Sequence, residues 1–264
     1  MTTRGFNRAR VLVASLVVFH PFAAPTATKG QVISDQARIA AALTQGPEQQ
    51  RIEAIAQIRA IPPAQRGESI RLAVISELDR YRLDLAARRE GYRTGASITP
   101  REDHGEYLFS LLDLAVAYRE PSTIPSLIPF IATGNRVINA MVAFGEVAVE
   151  PVALLADDPS SAQEDVSSAL LTLNRLLQNA DRSSLSSSSR RRIRDLARDR
   201  LHGVQGVGVI LRAMELAVTT NDVELVSRVR QLAVDRDALR NLGIASDLVF
   251  YVQERAKAVL AGGI

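Results

Sequence analysis

From residue 34 onward, apolar residues recur at helical spacing. Ile70, Val74, Leu78, Tyr81 and Leu85 stand four, four, three and four positions apart, one continuous stripe on a helix. Before them, Ala37, Ile39, Ala40 and Leu43 predict a helix that Ser34 or Asp35 caps. Gly46-Pro47 breaks that helix, and Pro47 suits the first turn of the next. This second helix carries Ile52, Ile55, Ala56 and Ile58 before Pro62-Pro63 stops it. The pattern resumes at Leu108, Leu111, Leu112 and Ala115, then at Ile124, Leu127, Ile128 and Ile131. Later stripes are Leu170, Leu173, Leu176 and Leu177, then Val223, Val226, Val229 and Leu232, with Leu248 to Leu260 closing the chain. Polar loops fall near 91–104 and 181–189. Strand-type alternation is lacking and the helices are about three turns long, so the expected class is all-α.

The first two dozen residues carry Arg4, Arg8 and Arg10 and no acid. They lead into the apolar run Val11 to Phe19 and then His20-Pro21, the charge order of a secretory signal. Nine apolar residues are too few to span a bilayer, which takes about 20. Ala23, Ala24 and Ala27 place an expected cleavage between 24 and 28, so residues 1–27 read as a signal peptide and 28–264 as one helical domain. The alternative is an uncleaved amphipathic anchor.

That segment changes the meaning of the charge. The 264 residues hold 32 Lys+Arg and 29 Asp+Glu, a formal net charge of +3. Without the three leader arginines the rest is formally neutral, so global electrostatics gives no argument for nucleic acid. The absence of Cys excludes a disulfide framework, a zinc–cysteine site and a catalytic thiol.

The chain also repeats itself. Val137, Ala140 and Phe144 recur 29 residues later as Val166, Ala169 and Leu173, the small residue suiting a close helix crossing. Asp222-Val223, with Val226 and Val229, lies 57 residues beyond Asp165-Val166 as a third echo. Arg136-Val137, Ala140, Phe144-Gly145, Ala148-Val149, Pro151, Leu154-Leu155 and Asp157 to Pro159 resemble the short-period HEAT repeat. Asn174 stands where that pattern has Gly. The resemblance implies an armadillo-like, right-handed α-solenoid of stacked antiparallel helix pairs whose inner face binds other proteins.

Chemistry-bearing clusters are few. Glu102-Asp103-His104 with Glu106 is a conceivable metal or acid–base set, but no His-x-x-x-His or Glu-x-x-His partner stands nearby. Acids before a helix running Tyr107 to Tyr118 have a simpler role at its positive end. Gly203-Val204-Gln205-Gly206-Val207-Gly208 lacks nucleotide-loop spacing and reads as a helix–helix connection. His202 beside Gly203 reads as a helix C-terminus. The densest positive run is Arg190, Arg191, Arg192 and Arg194, preceded by Ser186 to Ser189 and followed by Arg198 and Arg200. It is either an anion or partner contact, or a solvated face on a serine-capped helix with Ile193, Leu196, Ala197 and Leu201 turned inward.

The expectation is therefore an exported, non-enzymatic scaffold that binds a protein partner, with no catalytic, cofactor or metal residues assigned. The alternative is a module binding an anion or membrane surface through the Arg190–Arg200 helix, with nucleic acid disfavoured because no aromatics interleave.

Overall fold

The computed structural model describes residues 29–94, 104–179 and 184–262. The leader 1–27 lies outside them, as do Glu102 and Asp103. Thirteen α-helices and no strand occur among the described residues. The first four are α1 (Lys29–Gln45), α2 (Glu48–Ala60), α3 (Glu68–Thr94) and α4 (His104–Ala117). Next come α5 (Ile124–Leu127), α6 (Asn135–Phe144), α7 (Val149–Asp157), α8 (Gln163–Asn179) and α9 (Ser187–Arg200). The last four are α10 (Val207–Thr220), α11 (Val223–Leu232), α12 (Arg236–Asn241) and α13 (Val249–Leu260). Among the described residues, no helix is long and apolar enough to cross a membrane.

The stripe Ile70, Val74, Leu78 and Tyr81 is buried on α3, as its period requires. Other elements correct the sequence reading. α1 starts at Lys29, so Ser34 and Asp35 lie inside it and are exposed. Its buried face is Gln36, Ile39, Ala40 and Leu43, an i, i+3, i+4, i+7 set in which Gln36 holds the slot assigned to Ala37. Gln36 is satisfied there: its Nε2 donates to the Gln65 carbonyl at 2.9 Å, and its Oε1 accepts from the Gly67 N–H at 2.6 Å. α2 buries Ala54, Ile55 and Ile58, leaving Ile52 and Ala56 outside.

Proline divides the predicted helix over 124–131. α5 makes a single turn, and a 3-10 segment follows at Ile128–Thr133. Pro129 has no N–H to continue the α-ladder and its ring clashes with the preceding turn. Ile124, Leu127, Phe130 and Ile131 are still buried. The expected loops are also shorter: residues 91–94 belong to α3, which runs 27 residues, and Ser187 to Ser189 open α9.

Helix packing follows chain order. In one set, α1 packs on α3, α3 on α5, and α7 on α9. In the other, α2 packs on α4, α4 on α6, α6 on α8, α8 on α10, and α10 on α13. Successive partners join the sets: α1 with α2, α3 with α4, α7 with α8, α9 with α10, and α11 with α13.

The 29-residue recurrence sits on two neighbours of one set, since α6 buries Val137, Ala140 and Met141 while α8 buries Val166, Ala169, Leu170 and Leu173. The next member is not α11. Val223 is 80% exposed, and Asp222 is the N-cap of α11, accepting from the N–H groups of Glu224 and Leu225. The matching positions are Ile210, Ala213, Met214 and Ala217 on α10, all fully buried.

The change of spacing has a local cause. Gly145 ends α6 at φ +67°, a conformation that suits glycine. Asn174, 29 residues later, stays helical, so α8 runs on to Asn179 and the next helix of that set starts further along the chain. On α7, Val149, Val152, Ala153 and Ala156 are buried, while Leu154 is 57% exposed.

Two buried carboxylates tie helices together. Glu77 on α3 is 1% exposed and receives the Tyr107 hydroxyl of α4 at 2.5 Å. Arg80 pairs with both its oxygens, and Arg51 of α2 lies 3.8 Å away. Burial, and then the hydrogen bond to Glu77, push the Tyr107 phenol well above its usual range. Glu215 on α10 meets Arg212 at 2.6 Å and Arg255 of α13 at 3.7 Å.

Leu170→Ala is expected to cost about 2–5 kcal/mol, the range for emptying an enclosed leucine site. Val223→Ala is expected to stay within about 0.5 kcal/mol, as for an ordinary surface change. Denaturant unfolding of both variants checks the pair.

Candidate functional site

The arginine-rich run becomes helix α9. Ser186 is its N-cap, with extended backbone at φ −62°, ψ 159°, and its hydroxyl accepts from the Ser189 N–H at 3.1 Å. Ile193, Leu196, Ala197 and Leu201 are buried, as the period indicates. His202 closes the helix with Nδ1 2.7 Å from the Arg198 carbonyl. Gly203 to Gly208 is the connection into α10, with Val207 and Gly208 already in its first turn.

A carboxylate from elsewhere seats on the start of α9. Glu146, in the 3-10 turn Gly145–Ala148, accepts the Ser186 hydroxyl at 2.6 Å and the Ser189 hydroxyl at 2.5 Å. Its other oxygen accepts the Ser186 N–H at 3.1 Å. The Ser186 hydroxyl, then the Ser189 hydroxyl, hold the Glu146 carboxyl below the usual glutamate value; Arg190 adds to this. Forty residues separate Glu146 from Ser186, so no sequence rule of local capping reaches it.

The arginines divide by face. On the side of α7, Arg192 meets Asp157 at 2.5 Å and Glu150 at 3.5 Å. Arg200 stands 3.8 Å from Asp157 and donates to the Ala156 carbonyl. On the side of α11, Arg194 faces Asp222 at 3.7 Å, and Arg198 reaches Asp195 at 3.0 Å and Glu224 at 3.7 Å. These contacts bind α9 to its neighbours, so much of the run serves internal pairing.

A third face remains. Ser187, Arg190, Arg191 and Arg194 follow an i, i+3, i+4, i+7 pattern and line a cleft of about 930 Å³. Its other walls are the ends of α8, at Leu177 and Gln178, and of α10, from Val218 to Asn221. Among the described residues, no acidic side chain lines it. Arg190 is steadied by donating its Nε–H to the Leu185 carbonyl at 3.2 Å. Arg191 is exposed and has no acid within ion-pair distance among the described residues. Of the four predicted contact residues, the structure brings three together and sends Arg192 elsewhere. Thr219, Thr220 and Asn221 were not anticipated, because their meeting with α9 depends on how α8 and α10 stack.

The other candidate cluster, Glu102, Asp103 and His104, lies outside the described side chains. Among the described residues, no group of three or more acidic or histidine side chains is placed to hold a metal ion. Comparison with known proteins finds no matching family model, no matching curated protein and no matching solved structure.

Glu146→Ala is expected to lose about 1 kcal/mol of stability, the scale of one helix cap. In the unaltered chain this contribution is complete above the ordinary glutamate range, because the folded pKa is the lower one. It fades as pH falls through that range toward the folded value. Amide protection factors in the first turn of α9 are the readout: they drop on acidification in the native chain and stay level in the variant.

Proposed function

We propose that this chain is a non-catalytic helical-repeat scaffold of HEAT-like, armadillo-like kind, exported from the cell by its leader and working by binding a protein partner. The observation that carries the reading is the packing order. α2, α4, α6, α8, α10 and α13 contact one another in that order, and α1–α2, α3–α4, α7–α8 and α9–α10 pack as pairs, as stacked pairs in a solenoid do. Such a stack buries its apolar faces against the adjoining pairs and leaves long outer and inner surfaces for a partner. The Ala140, Ala169 and Ala213 positions agree with it, since small residues on three successive helices allow close crossings.

The second reading, an anion- or membrane-surface module, draws on the cleft-facing Arg190, Arg191 and Arg194. It loses force from Arg192, Arg198 and Arg200, whose guanidiniums are paired within the chain. A surface held for a flat anionic membrane would leave those charges open.

The test is photo-cross-linking in cells that make the full chain, with the reactive residue placed in turn at Leu154, Ser188 and Val223. A scaffold gives one recurrent protein adduct from neighbouring positions, in the exported fraction. Adducts to lipid alone, or no protein adduct from any position, would overturn the reading.

A further inference from the structure

We propose that the cleft between α8, α9 and α10 is a docking groove for an extended acidic peptide segment of the partner protein. This rests on the scaffold reading and adds the chemistry of what is recognised.

Charge complementarity is the first argument. Three guanidiniums line a concave surface on which no acidic side chain lies among the described residues. Arg191 carries no ion pair among the described residues, and Arg194 has only Asp222, at 3.7 Å. Guanidiniums match carboxylates with two parallel donors, so carboxylate side chains are the natural counterpart. The chain already supplies an example at the same helix, where Arg192 pairs with the Asp157 carboxylate at 2.5 Å.

The rest of the wall selects a peptide over a simple anion. Two helices, α8 and α10, end at this cleft. The Thr219 hydroxyl donates back to the Glu215 carbonyl, which leaves its oxygen lone pairs to accept, while the Thr220 hydroxyl donates to the Ala217 carbonyl and accepts the Asp222 N–H at 3.4 Å. Leu177, Leu185 and Val218 give apolar footing between the charges. The volume of about 930 Å³ lies in the range of ligand clefts and suits several residues in extended form.

Fluorescence anisotropy of the full chain tests this, with a labelled acetylated hexapeptide of alternating glutamate and leucine as the probe. Binding is expected to weaken as salt rises. Arg191→Glu, at an exposed position without an internal pair, is expected to weaken it by about tenfold or more. Arg191→Lys should retain most of the affinity, and Arg236→Ala on α12 all of it. Failure of the acidic probe to bind, or binding indifferent to Arg191→Glu, overturns the groove. So does displacement of the probe by inorganic phosphate, or by phosphatidylglycerol vesicles, in preference to unlabelled peptide. Partner cross-links that survive Arg191→Glu refute the groove and leave the scaffold standing. Probe binding that obeys the charge rule, without any protein adduct in cells, supports the groove and refutes the scaffold.

Discussion

A short helix pair with apolar residues on more than one face is stable only when other helices enclose it, and α8 is where this constraint is felt most. It buries Val166, Ala169, Leu170, Thr172, Leu173, Asn174 and Leu176, an arc too wide for one partner. α6, α7, α10 and the 3-10 segment at Ile128–Thr133 all pack against it. Ala169 lets a neighbour come close, and Leu170 and Leu173 fill the space on either side. Without that enclosure the apolar arc would face water, and without disulfides nothing covalent would compensate. The path of the chain through its central part follows from covering this one helix.

Charged groups inside the stack fix which helices meet. Glu77 joins α2, α3 and α4, and Glu215 joins α10 to α13, each carboxylate held by arginines. Arg136 does similar work at the surface, meeting Asp113 of α4 at 2.8 Å while lying 4.6 Å from the centre of the Phe109 ring. A buried carboxylate wants donors in a planar fork, which arginine presents and lysine does not. The bias toward arginine, 30 of the 32 basic residues, therefore has structural use here as well as at the cleft.

The helical class is legible from period alone, and so are the buried stripe of α3 and the inward face of α9. Each is a long run whose apolar positions leave a single choice of face. The register of α2 is not legible, because Ile52 advertises a face that Ala54 in fact occupies. The next helix of the set containing α6 and α8 escapes for a different reason. Two 29-residue periods beyond Asp165-Val166 reach α11, whereas the helix that packs next on α8 is α10, because Gly145 stops α6 and Asn174 does not stop α8. At the candidate site, the arginines are visible in the chain but their division is not. Arg192 turns to Asp157 while Arg191 turns to the cleft, and only the position of α7 and α10 decides between them. The seat of Glu146 on α9 is equally invisible, being set by the fold across forty residues.

Neighbour-to-neighbour stacking is the central claim, and it has a direct thermodynamic signature. In such a stack, segments open separately, with stability highest where a helix is enclosed on most sides. Native-state hydrogen exchange across a denaturant series measures this residue by residue. The account predicts distinct opening free energies, greatest in α8 and α10 and smaller toward α1 and α13. A single opening free energy shared by slow-exchanging amides in every helix would contradict it.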